Sequence, residues 1–225
     1  MVLEIRTMSE RLVDIVRDRI LSGEIPPNVA IRQDTLASEL KISKIPLREA
    51  LARLEQDGLL VSHPNRGFFV RPMSTEEAEE VFALRLKIEP DAAARACRSA
   101  TEPEKQNAMT ALQHLIVAAA AHEPSVGALN QAFHLALVQP GGQHVTTAVV
   151  RRLHILADRY VRKHLEADYR HVRAESEHQE ILETWLEGRS RIVKRLVFAH
   201  IEHTIRDLRV QLAEHSTAEK KAGRR

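Results

Sequence analysis

Between Ser43 and Gly58 the chain repeats apolar residues at helical spacing, with Leu47, Ala50, Leu51 and Leu54 on one stripe. Ser43 is a candidate N-cap, Pro46 falls in the first turn where a missing N–H is harmless, and Gly58 is a helix stop. The opposite side carries Ile45, Arg48 and Ala52, with Lys44 at its edge. An arginine in the first turn opposes the helix dipole, so Arg48 reads as a residue placed for a partner such as a phosphate or a base edge. Upstream, 8–22 forms an amphipathic helix with Leu12, Val16 and Ile20 on one side, ended by Gly23 and Pro26-Pro27. Asp34 is positioned to cap a short helix over 35–40, and Lys41-Ile42 connects it to Ser43, a helix-turn-helix spacing. Two short β runs, 59–62 and 68–71, flank His63-Pro64-Asn65-Arg66-Gly67 and predict a hairpin with Arg66 at its tip. Together these elements make a winged helix-turn-helix.

From Ser74 onward the period stays helical and no strand pattern returns. Helices are expected at 75–99 (with Pro90 inside), 102–121, 125–138, 144–168, 171–187 and 189–215, divided by Pro and Gly breaks. The fold class is therefore mainly α: a winged module over 1–72, an all-α bundle of six or seven helices over 73–215, and a disordered tail over 216–225.

Composition narrows the class. The chain has 225 residues, 44% of them hydrophobic but only 4% aromatic, and eight glycines, which disfavours a large β architecture. The net charge of +2 says little, but 41–71 holds six basic residues against three acidic ones. Cys97 is the one cysteine, so no internal disulfide forms and a reducing, cytoplasmic setting is expected. The first residues lack the apolar core of a signal peptide, and the longest aliphatic run, 115–121, is too short to cross a bilayer. HExxH, P-loop and dinucleotide patterns are missing. Glu175-x-x-His178 is half of a di-iron motif, but no second copy exists, and no helix with an interior histidine adds an interior glutamate. An enzyme is not expected.

Twelve histidines are the chemical anomaly. His200 lies within the apolar stripe of the last helix, with His203 on its flank. His178 is central in the face marked by Ile181, Leu182 and Trp185. His134 and Asn130 share an edge of the face marked by Val126, Leu129, Phe133 and Leu137. These rings are either separate core histidines with local hydrogen bonds or a shared transition-metal site with room for a ligand carboxylate. His164, on an apolar face, and more weakly His171 compete as ligands.

The stretch Ile42 to Leu51, Leu54-Glu55, Asp57-Gly58-Leu59 and Asn65-Arg66-Gly67, with Arg85 and Glu89, Asn130 to His134, Glu177-His178 and His200, resembles the GntR superfamily of bacterial transcription regulators in its FadR-type branch with an FCD effector domain. The resemblance runs from about Ser9 to Leu212. It implies a divalent metal held by Asp and three His, a pattern that falls here on Asn130, His134, His178 and His200. Asn130 replaces the usual Asp and withdraws a charge, leaving zinc or nickel as the expected ions. It further implies that a small organic acid binds at the metal, with Arg85 as carboxylate partner; the alternative role for Arg85 is a pair with Glu89 at i+4. In the winged module it sets Lys44, Ile45, Arg48 and the wing tip, Asn65, Arg66 and Gly67, against double-stranded operator DNA, with Ser43 on a phosphate. Arg32 substitutes for the basic contact that some relatives carry at Asp34. One module buries too little surface for operator-level affinity, so a homodimer on a near-palindromic site is expected. The competing function is a DNA-binding adaptor whose bundle only dimerises and whose histidines are structural.

Overall fold

The computed structural model describes residues 7–123, 125–165 and 168–222; the side chains of 163–171 and 213–222 lie outside that description. The chain divides into two compact units, 1–73 and 74–225.

The first unit opens with α1 (Met8–Leu21), started by a capping box in which Thr7 Oγ1 accepts from Glu10 N and Glu10 Oε2 accepts from Thr7 N. It buries Leu12, Val13, Val16 and Ile20. Next comes α2 (Gln33–Glu39), which begins two residues earlier than the sequence reading: Arg32 is its N-cap, with no side-chain cap bond, and Asp34 sits in the first turn rather than capping it. The third helix, α3 (Lys44–Gln56), starts at Ser43, whose side chain makes no capping hydrogen bond. It buries Leu47, Ala50, Leu51 and Leu54 completely, and truncating any of those leucines to alanine is worth about 2–5 kcal/mol. Strands β1 (Leu60–His63) and β2 (Gly67–Val70) pair antiparallel, Leu60 opposite Val70, one residue off the expected limits. The 28–31 segment adds to the β2 edge through Asn28 N to Val70 O and Ile31 N to Phe68 O. This is a winged helix-turn-helix.

The second unit holds six α-helices among its described residues: α4 (Thr75–Ala96), α5 (Glu102–Ala120), α6 (Val126–Val138), α7 (His144–Leu165), α8 (Asp168–Leu186) and α9 (Ser190–Ala222), with a 3-10 turn at Gln139–Gly141. Helix α4 continues through Pro90, and Ser74 caps it by accepting from Glu77 N at 3.0 Å. It packs against α9, α7 and α6 and forms the centre of the bundle. Trp185, fully buried, donates from Nε1 to Leu137 O at 3.0 Å and ties α8 to α6. Gly127 in α6 lies against the Asp158 carboxylate of α7, which would have to swing away to admit a Cβ there. Helix α9 stays helical through 216–222, where a disordered tail was expected; that stretch is rich in Ala, Glu and Lys, strong helix formers that its polar composition masks. No helix of the described residues is long and apolar enough to cross a membrane.

Candidate functional site

Five helices of the second unit turn polar side chains into its core. Arg85 and Glu89 come from α4, Asn130 and His134 from α6, His154 from α7, His178 from α8 and His200 from α9, all buried. His134, His178 and His200 form one group, each offering a ring nitrogen, with the three atoms all within 4.8 Å of one another. The Nε2 atoms of His178 and His200 face each other at 3.1 Å. His134 Nε2 is buried with no hydrogen-bond partner, a state that costs about 1–3 kcal/mol unless something accepts or coordinates it. Three converging imidazole nitrogens, one of them orphaned, fit a borderline transition-metal ion. The residues present therefore fit the expected centre, and Asn130 lines the same cavity.

That cavity offers about 40 Å³ to the centre of a water molecule, room for roughly three waters. Its polar lining includes Arg85, Thr204 and the three histidines, and its apolar lining Leu115, Ile116, Val126 and Val161. The arrangement suits a small molecule with one anionic end and a short aliphatic body.

Glu89 is the hub of a second group. Its Oε1 accepts from Arg85 Nε at 2.5 Å and its Oε2 from Arg85 Nη2 at 3.2 Å, a two-point pair. Oε2 also lies 3.1 Å from His154 Nε2 and 3.7 Å from His134 Nδ1. Glu89, His134 and His154 could themselves surround a cation. However, Arg85 Nη2 is 3.3 Å from His154 Nε2, so a cation there would meet a fixed guanidinium. The His134–His178–His200 group is the better site. Burial alone would raise the Glu89 carboxyl, but Arg85 and His154 outweigh it and hold it at about 2. Burial, reinforced by neighbouring cationic groups, drives His134 and His178 well below the ordinary imidazole value, which favours the neutral ring that a metal needs. His154 is lowered by burial and Arg85 against the opposing pull of Glu89.

Two features escaped the sequence reading. His154 was passed over although it lies four residues after Val150 and three before Ala157, both buried, a spacing that could have found it. Glu177 corrects the expectation that no histidine-bearing helix adds an inward glutamate: it accepts from His200 Nδ1 and His203 Nδ1, each at 2.7 Å. The side chains of His164 and His171 lie outside the described residues.

In the first unit, Lys44, Ile45 and Arg48 share the opening turns of α3, all exposed, with Ile45 at 72%. Lys44 pairs with Asp34 across the turn. Arg32 and Ser43 are exposed at the starts of α2 and α3. In the wing, Asn65 and Gly67 adopt φ of 59° and 83°, which lets three residues close the hairpin. The Arg66 guanidinium lies over the Phe69 ring at 5.5 Å, so the wing tip is partly pre-ordered.

Comparison with known proteins agrees with this architecture. Residues 8–70 match the family model for bacterial regulatory proteins of the gntR family, and residues 80–203 match the FCD domain. The chain is 25% identical over 201 residues to the uncharacterized HTH-type transcriptional regulator YdhC of Bacillus subtilis, covering 88% of this chain and 90% of that one. It is 30% identical over 152 residues to the HTH-type transcriptional repressor GlaR of Escherichia coli, covering 64% and 68%. With the Nta operon transcriptional regulator of Aminobacter aminovorans it shares 38% identity over 84 residues, 37% of this chain and 40% of that protein's length. Among solved structures, Escherichia coli McbR/YncC superposes with a TM-score of 0.78 at 18% identity, covering 92% of this chain and all of that one. A GntR transcriptional regulator from Rhodococcus sp. RHA1 gives 0.71 at 22%, covering 89% and 96%. The chain belongs to the GntR family of transcription regulators, with an FCD domain, and is not an enzyme.

Proposed function

We propose that this GntR-family regulator binds operator DNA as a homodimer and senses a small carboxylate at a transition-metal site in its helical unit. The observation that carries the sensing half is the convergence of His134, His178 and His200, with His134 Nε2 buried and lacking a protein partner. Those three imidazoles, with the Asn130 carbonyl beside them, would hold zinc or nickel, neutral nitrogen donors favouring such ions over magnesium or calcium. Once bound, the ion would act as a Lewis acid and anchor a carboxylate oxygen. The chain's own residues do the rest. Arg85, held by Glu89 on its Nε/Nη2 edge and near His154 through Nη2, would offer its Nη1 N–H groups to the acid. The aliphatic lining would limit the size of the guest.

In the winged unit, Lys44, Ile45 and Arg48 would enter the major groove, with Ile45 against a thymine methyl. Ser43 and the start of α3 would meet a phosphate, Arg32 the backbone, and Asn65, Arg66 and Gly67 the wing contact. A guest signals only if it binds two arrangements unequally. Helix α4 suits the switching element, because it carries Arg85 and Glu89 and begins just after 71–73. Its first turn is clasped by Tyr160, whose hydroxyl donates to Ser74 O at 3.1 Å.

The test is a melting curve of the full chain with zinc or nickel, with and without a panel of small carboxylates. A sensor gains stability, about 2.7 kcal/mol at a ligand concentration of 100 Kd. A bundle that only dimerises gains none, and that result rejects the sensing half.

A further inference from the structure

The three imidazoles and Asn130 are uncharged donors, so a divalent ion in their midst needs negative charge from nearby. Among the described residues, two buried or half-buried carboxylates touch the histidines. Glu89 is already matched by the two-point pair with Arg85. Glu175 lines the cavity, but it is exposed and accepts from Gln179. Glu177 is different. It sits on α8 beside His178 and reaches across to α9, where Oε2 takes the His200 Nδ1 proton and Oε1 the His203 Nδ1 proton, both at 2.7 Å. Arg173 Nε approaches Oε1 at 3.5 Å, but its Nη2 is engaged by Asp207.

From this geometry we infer that Glu177 is a positioning residue of the ion site, orienting His200 towards the ion and supplying the charge that Asn130 lacks. The inference rests on the ion-binding reading above. An ionised carboxylate only accepts hydrogen bonds, so the proton of a neutral His200 sits on Nδ1 and the lone pair on Nε2, facing His178 Nε2. The second bond, to His203 one turn further along α9, commits the other oxygen and fixes the carboxylate plane. Glu177 thus braces the two helices that carry His178 and His200, an arrangement in which an outer carboxylate sets ring orientation and strengthens the donor.

The experiment titrates zinc and nickel, separately, into metal-free full-length protein against a chromophoric chelator, using wild type, E177Q, N130D and the double variant, with a melting curve to establish folding. Glu177→Gln should weaken ion affinity about 10–100-fold. Adding N130D should recover most of the loss, because it restores a charge at the site without restoring the brace; a merely structural role for Glu177 would not be rescued that way. Independently of any variant, long-range ¹H–¹⁵N spectra of the metal-free wild type should find the His200 proton on Nδ1. Equal affinity in folded E177Q, absence of rescue, or a proton on His200 Nε2 overturns the role of Glu177. A wild type that binds neither ion overturns the ion-binding reading itself, and this inference with it.

Discussion

Ile45 and His134 break the same rule in opposite directions. In the winged unit an isoleucine is 72% exposed at the start of α3; in the helical unit a histidine is 2% exposed at the centre of a bundle. Other large apolar residues are exposed as well, Val145 at 80% among them, but among the described residues of the winged unit Ile45 is the most exposed, and in the helical unit buried Arg85 and Glu89 accompany His134. The winged unit violates the pattern on its surface, among Lys44, Arg48 and the wing, where a large rigid partner would meet it. The helical unit violates it inside, around a cavity of about 40 Å³, where only a small guest fits. Where the pattern fails tells what kind of partner each unit is shaped for.

That contrast is broken most severely at His178. Replacing it by alanine should abolish the rise in melting temperature on adding zinc or nickel and the response to any carboxylate, while operator affinity of the metal-free protein stays near wild type. An unchanged ion response would remove His178 from the site.

Acid should separate the two units next. His134 and His178 are held well below 6.5 when folded, so between that depressed value and 6.5 the unfolded chain binds protons that the folded bundle refuses. Stability of the metal-free helical unit should therefore be complete above 6.5 and fall as the pH drops below it, by up to about 1.4 kcal/mol per pH unit for each ring. Glu89 adds its own loss only below 4.5, as the pH nears about 2. Among the described residues the winged unit buries no histidine. Denaturation followed unit by unit from pH 7.5 to 5 checks this; a flat profile for the helical unit contradicts it.

Arg48→Ala should weaken operator binding by about 1–3 kcal/mol and flatten its sequence preference, with melting temperature and ion affinity unmoved. A gel-shift titration against operator and scrambled duplex measures both. Smallest of all, Ile45→Ser should alter stability by no more than about 0.5 kcal/mol while relaxing preference at one thymine; a marked loss of stability would make Ile45 a packing residue.

The sequence made much of this legible, and the failures share a cause. Periodicity located the α3 stripe Leu47, Ala50, Leu51 and Leu54 and drew helices that the structure matches closely at α5 and α6. It marked His134, His178 and His200 as inward, because each interrupts an apolar face. It missed Glu177 because a helical wheel sorts Cα directions, whereas a glutamate reaches several ångströms and bends its carboxylate to a neighbouring helix. His154 was lost among the ordinary residues of a strongly amphipathic helix, its role visible only once α4 brings Glu89 against it. The sequence offers Asp34 as a cap, but a helix start two residues earlier makes it a first-turn side chain.

Anomalous scattering from a crystal soaked in zinc or nickel decides the central claim most directly. One strong peak among the ring nitrogens of His134, His178 and His200, in each chain, is the expected result. A peak between Glu89 and His154, or none in the helical unit at all, would contradict it.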